Sequence, residues 1–140
     1  MSQNETISKL QAVPLFSSCS RRQLKQIAVR GWENLYDPGQ ILCEQGAPAD
    51  DFFVILEGDA EVRRGGRKIG PLGAGDYFGE IALLRTLIER SSRTATVKAV
   101  TPMRCFLLGR SEFHKVLYEE DIAVKILRAV VQRLDASSAL

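Results

Sequence analysis

Histidine is almost missing from this sequence: His114 is the single one among 140 residues. The multi-histidine metal sites that many small barrels carry therefore cannot be assembled from this chain, and His114 reads as a surface or structural residue. Cysteine is sparse and unpaired. Cys19, Cys43 and Cys105 are odd in number, far apart and without a CxxC spacing, so neither a disulfide framework nor a zinc site is encoded. Packing as small apolar side chains in a reducing, cytoplasmic setting is the expectation. A charge surplus is missing too. Nineteen Lys+Arg face seventeen Asp+Glu, and a net +2 does not argue for DNA or RNA as a partner. No uninterrupted apolar run comes near the about 20 residues that cross a bilayer. The opening MSQNETISKL also lacks the basic start and apolar stretch of a secretory signal. What is present is a 45% apolar composition over a length that suits one compact domain, residues 1–140, with an adequate core.

Residues 5–16 place Ile7, Leu10, Val13 and Leu15-Phe16 at mixed helical spacing, and Pro14 should end a first short helix. Ser20 precedes Gln23 by three positions, a capping box, and Leu24, Ile27 and Ala28 then repeat at helical spacing up to Gly31. An N-terminal helical pair over about 5–30 is predicted. From Trp32 to Leu108 the chain turns to short β-rich runs divided by Gly, Pro and Asp: 40–44, 51–56, 60–64, 67–72, 94–100 and 104–108. Such spacing predicts an antiparallel sandwich or barrel-like roll over about 32–109, with a two-residue hairpin at Gly65-Gly66. Residues 81–92 break the alternation, and Ala82, Leu83, Leu84 and Arg85 predict a short helix there. Ser111-Glu112-Phe113 opens C-terminal helices over about 111–135. The last is amphipathic, with Ile122, Ile126, Leu127, Val130, Val131 and Leu134 at helical intervals. The tail 136–140 has nothing to bury and is expected to fray.

The stretch Phe78-Gly79-Glu80-Ile81-Ala82-Leu83-Leu84, with Arg93-Thr94-Ala95-Thr96-Val97 beyond it, invites an anion-site reading. A glycine just before a helix lets ligands approach first-turn N–H groups that have no partner within the helix. Those donors and the helix dipole favour a phosphate. Arg93 adds a planar fork that bonds two phosphate oxygens at once. Glu80 would repel a phosphate unless it accepts a bond from another part of the ligand, and a ribose 2′-OH resolves that conflict. Arginine, helix N–H groups and one carboxylate together describe a nucleotide.

These two runs resemble the ends of the phosphate-binding cassette, here 78–97, of cyclic-nucleotide-binding domains. That family includes the catabolite activator, protein kinase regulatory subunits and cyclic-nucleotide-gated channels. Upstream, Val13-Pro14-Leu15-Phe16, Pro38-Gly39-Gln40-Ile41, Gly46, Asp50, Phe53, Val54, Ile55, Gly58 and Val62 are similar to the family's leading helix, strands and turns. The similarity covers roughly residues 10–134. It implies a mainly β fold: an eight-stranded antiparallel, jelly-roll-like β-roll with an N-terminal helical pair, a short cassette helix and a C-terminal amphipathic helix. It also implies reversible binding of cAMP or cGMP as a ligand, with no cofactor, no metal and no catalytic residues. Arg93 would hold the cyclic phosphate and Glu80 the ribose 2′-OH. Gly79, Ile81, Ala82 and Thr94 would complete the site, the N–H groups of Gly79, Ala82 and Thr94 making ribose and phosphate contacts. A residue of the last helix would cap the base, the candidates being Ile126, Leu127, Val130 and Val131.

The interval from Glu80 to Arg93 is 13 positions, several more than the family's usual one, and the extra residues fall within Arg85 to Ser92. Arg90 is the rival phosphate ligand; Arg93 is preferred because it alone opens a strand-like T-A-T-V run. Arg93 and Glu80 as a plain ion pair, Gly79 as a turn glycine, and Thr94 as either a cGMP-selecting hydroxyl or a solvent-facing strand residue are the competing assignments. The six residues after Leu134 leave no room for a helix-turn-helix domain, and Met1 fits a free-standing regulator. The function expected is a sensor that signals by movement of its C-terminal helix to an unspecified effector, without membrane contact of its own. The alternative is a degenerate β-roll that serves only as a protein-interaction module.

Overall fold

In a computed structural model, residues 2–79, 92–118 and 122–138 are described, with the side chains at 129, 130 and 133–138 outside the description. The chain opens with helix α1 (Gln3–Gln11), a 3-10 turn (Pro14–Phe16) and helix α2 (Arg21–Arg30). The first helix ends just ahead of Pro14, as its sequence predicts. Pro14 can neither donate a backbone hydrogen bond nor let Val13 stay helical, and it starts the 3-10 turn instead. Ser20 caps α2 through the reciprocal box expected from its sequence, its hydroxyl accepting from the Gln23 N–H and its own N–H donating to Gln23 Oε1.

Eight strands follow among the described residues: β1 (Trp32–Tyr36), β2 (Ile41–Cys43), β3 (Asp51–Glu57), β4 (Ala60–Arg64), β5 (Arg67–Leu72), β6 (Tyr77–Phe78), β7 (Thr96–Ala99) and β8 (Met103–Gly109). They form two four-stranded antiparallel sheets, ordered β1-β8-β3-β6 and β2-β7-β4-β5. This is the mainly β roll with flanking helices. The β4–β5 hairpin closes at Gly65 and Gly66, both at positive φ (58° and 78°), as a primed two-residue turn demands. β7 starts two residues later than predicted, because Thr94 and Ala95 form the bend that leads into it. The predicted helix over 81–92 lies outside the described residues but for Ser92, which bridges to Pro48.

β3 and β8 are apolar without alternation because both their faces are covered. Phe52, Val54, Leu56, Phe106 and Leu108 face the helices, while Phe53, Ile55, Met103, Cys105 and Leu107 face the interior of the roll. Helices α3 (Arg110–Leu117) and α4 (Ile122–Ser138) close the first layer. Phe52 sits at its centre, its ring 6.2 Å from Phe16, 5.4 Å from Phe113 and 6.1 Å from Tyr77. The end of the chain departs from expectation: α4 runs on to Ser138, so residues 136–138 are helical, not frayed. Its Ala and Ser residues cost little in a helix that is already nucleated and docked upstream.

Candidate functional site

The site lies where the end of β2, the start of β3 and the segment around Arg93 meet. A cavity of about 360 Å³ there is lined by Ile41, Leu42, Cys43, Glu44, Ala47, Pro48, Asp50, Asp51, Phe53 and Arg93. That volume falls in the range of about 300–1,000 Å³ typical of small-molecule sites. Backbone pairing carries Arg93 into it: the Arg93 N–H donates to the Ala47 carbonyl (2.8 Å), and the Gly46 N–H donates to the Arg93 carbonyl (2.9 Å). The Gly46-Ala47-Pro48 turn read from sequence is therefore the clamp on the arginine.

The Arg93 guanidinium is buried, 6% exposed, which is unusual for a charged group. Nη2 donates to the Asp51 carbonyl, and Cζ lies 5.8 Å from the centroid of the Phe53 ring. Nη1 is buried and has no hydrogen-bond partner among the described residues. A buried donor of that kind carries a desolvation penalty of about 1–3 kcal/mol, more for a charged group, until an acceptor reaches it. Gly79 stands directly beside it. A Cβ on Gly79 would come within 2.5 Å of Nη1 and 2.9 Å of the Asp51 carbonyl, and its φ of +94° is one that other residues rarely adopt. The structure thus brings together Gly79 and Arg93, two residues 14 positions apart that the sequence assigned to one site.

The carboxylates of the cavity wall work against an anion, yet one of them is restrained. Burial, and then the neighbouring Asp50, push the Asp51 carboxyl above its ordinary value, with Arg93 pulling the other way. The Cys43 thiol is raised by burial, against the pull of Arg93, and Cys105 is pushed up by burial to about 12. Burial thus disfavours the thiolate form of both sulfurs. Among the described residues no group of His, Cys, Asp and Glu is placed to hold a metal ion. No described helix is long and apolar enough to cross a membrane.

The other predicted residues fall as follows. Thr94 is exposed at the bend, and its carbonyl accepts a 3.2 Å bond from Arg64 Nε of the β4–β5 hairpin. Glu80, Ile81, Ala82 and the rival Arg90 lie outside the described residues. On α4, Ile126 is fully buried with Leu15, Phe16 and Ile122 in the helical layer, whereas Leu127 and Val131 are about half exposed. The side chain of Val130 is outside the description. Sequence reasoning did not assign a role to Asp51 or to Phe53. Both read there as members of a strand, and nothing in that pattern says which residue a distant arginine will meet.

A sequence profile of the cyclic nucleotide-binding domain matches residues 33–120. The chain is 35% identical over 111 residues to the cAMP-dependent protein kinase regulatory subunit of Schizosaccharomyces pombe, covering 79% of this chain and 26% of that protein. Among solved structures it resembles cAMP-bound PfPKA-R, with a TM-score of 0.76 at 26% identity, over 96% of this chain and 46% of that one. It shares its fold with the regulatory subunit of a cAMP-independent protein kinase A from Trypanosoma brucei, with a TM-score of 0.81 at 22% identity, over 97% and 46%. The chain thus spans about a quarter of the curated relative and under half of each of these two solved chains.

Proposed function

Because the chain belongs to the cyclic nucleotide-binding domain family, we propose that it is a regulatory sensor that binds cAMP or cGMP reversibly and without chemical change, Arg93 holding the cyclic phosphate. The observation that carries this reading is the buried guanidinium with its unpartnered Nη1 beside Gly79. A phosphate oxygen is the acceptor that donor lacks, and a charge-assisted bond is the strongest way to satisfy it. Glu80 on the ribose 2′-OH and the N–H groups of Gly79, Ala82 and Thr94 complete the proposed contacts. Ile81 follows as part of the same cassette.

Signalling requires unequal affinity for two states, since a ligand moves an equilibrium only by that difference. In our reading α4 supplies the second state. Leu127 and Val131 present apolar surface to solvent and serve as the base cap, while Ile126 holds the helix to the core. Covering roughly 100 Å² of apolar area contributes about 2.5 kcal/mol before the cost of ordering. The effector, a cytoplasmic setting and the absence of catalysis belong to the same proposal.

Calorimetric titration of the full chain with cAMP and cGMP tests it. Each charge-assisted bond contributes about 1.5–3 kcal/mol, so Arg93→Ala should weaken binding at least about tenfold. Equal affinity in the variant would remove Arg93 from the site. One observation favours a second reading, a β-roll kept for contact with a protein: Glu44, Asp50 and Asp51 line the same cavity. A wild-type chain that neither titrates with nor is stabilised by either nucleotide would decide for that reading.

A further inference from the structure

Arg93 presents an electrostatic problem that its hydrogen bonds do not solve. A buried cation is costly unless something offsets its lost hydration. No carboxylate lies within ion-pair distance of it among the described residues, though the Asp51 carboxyl feels its charge, and its one described side-chain bond goes to a neutral carbonyl, that of Asp51. What does face it is an aromatic ring. The Phe53 centroid is 5.8 Å from Cζ, inside the about 6 Å limit for attraction between a cation and a ring face.

That ring is fixed. Phe53 is buried, 2% exposed, and stacked on Phe78 with centroids 4.6 Å apart and planes within 8°. The stack follows from strand pairing, because Phe53 and Phe78 are directly opposite each other on β3 and β6. The residue after Phe78 is Gly79, whose missing Cβ leaves the space that Nη1 occupies. The residue two before Phe53 is Asp51, on the same face of β3, whose carbonyl takes Nη2. Two adjacent strands therefore build the whole seat.

We propose that Phe53, braced by Phe78, is a positioning residue that holds the Arg93 guanidinium in place at the cavity wall before any ligand arrives. The inference rests on Arg93 being the phosphate ligand. An acidic counter-ion would bind the same N–H groups that a phosphate needs, so ligand and counter-ion would compete. A ring face attracts the cation through its quadrupole and occupies no donor, which leaves Nη1 available.

The test replaces Phe53 in the full chain by phenylalanine carrying one, two and three ring fluorines. Fluorine drains electron density from the ring face, which weakens its hold on a cation but strengthens its stacking on the unsubstituted Phe78. A merely structural Phe53 would therefore hold or gain stability along the series without losing affinity. The positioning role predicts a stepwise loss of cyclic-nucleotide affinity, about tenfold across the series, with Phe53→Tyr close to wild type. In the ligand-free protein, nuclear magnetic resonance should show the Arg93 guanidinium protons shifted upfield by the ring and exchanging slowly, and both signs should be lost in Phe53→Leu. A flat affinity series, or guanidinium signals that Phe53→Leu leaves unchanged, overturns the inference. Should Arg93→Ala bind as tightly as wild type, or wild type bind neither nucleotide, the site reading fails; the ligand-free spectra still decide whether Phe53 holds the arginine.

Discussion

Gly79 shows how a single residue type can set a site. Its φ of +94° costs an L-residue about 1–3 kcal/mol, and an added methyl group would press on the Arg93 Nη1 and the Asp51 carbonyl together. Gly79→Ala should therefore lower stability by about 1–3 kcal/mol in denaturant unfolding. It should also weaken nucleotide binding at least about tenfold in calorimetry, because the displaced Nη1 loses its aim. A variant destabilised by that amount that binds as well as wild type would show that Nη1 is not the phosphate donor. At this scale the sequence was legible in part. Gly79 and Arg93 could be paired from it because each carries a chemical signature, a flexible backbone and a bidentate cation. Phe53 and Asp51 could not, because their part depends on strand register and on one backbone carbonyl.

Among the secondary-structure elements, the clearest local signals were the ones realised. The Ser20 to Gln23 capping box and the Gly65-Gly66 turn are short-range chemistry, complete within a few residues. β1 and β6 were not picked out as separate runs, since β6 is two residues long and Trp32–Tyr36 carries no steady apolar alternation. Their pairing partners, β8 and β3, supply what their own sequence lacks. Between helices, Arg30 of α2 bonds Glu112 of α3 at 3.2 Å, and Lys115 bonds the same carboxylate. The hydrogen bond from Lys115, then that from Arg30, hold the Glu112 carboxyl below its ordinary 4.5. A carboxyl with a lowered folded-state pKa contributes stability above 4.5 and loses it as pH falls through the lowered value. The Asp51 carboxyl, raised above 3.8, acts in the opposite sense: its contribution is full below that value and is lost as pH rises. Thermal unfolding of wild type and Glu112→Gln between pH 6 and pH 3, a window of roughly this span around both groups, isolates the first effect. The difference between the two should shrink as acid is added; a gap that stays constant would mean the α2–α3 tie is not ionic.

Taken as a whole, the molecule is a two-sheet roll whose cavity opens on one side and whose helices pack on the outer face of one sheet. The two regions share β3: Phe52 points to the helices and Phe53 to the cavity. This alternation gives a physical route from ligand to α4, through a strand that both layers hold. Hydrogen exchange should accordingly change on cAMP addition in residues 122–132 of α4, and protection that stays the same throughout that segment would contradict the proposed movement. The roll and the helical pair were legible from turn spacing and capping. How α4 docks was not, because Ile126 and Leu127 are equivalent in periodicity and the packing alone gives one to the core and the other to solvent.

The most direct measurement is a crystal structure of the full chain grown with saturating cAMP. The account predicts that Nη1 of Arg93 will lie within hydrogen-bond distance of a cyclic phosphate oxygen, with the guanidinium still over Phe53. A bound nucleotide whose phosphate is held by other groups, with Nη1 left unpaired beside Gly79, would contradict it.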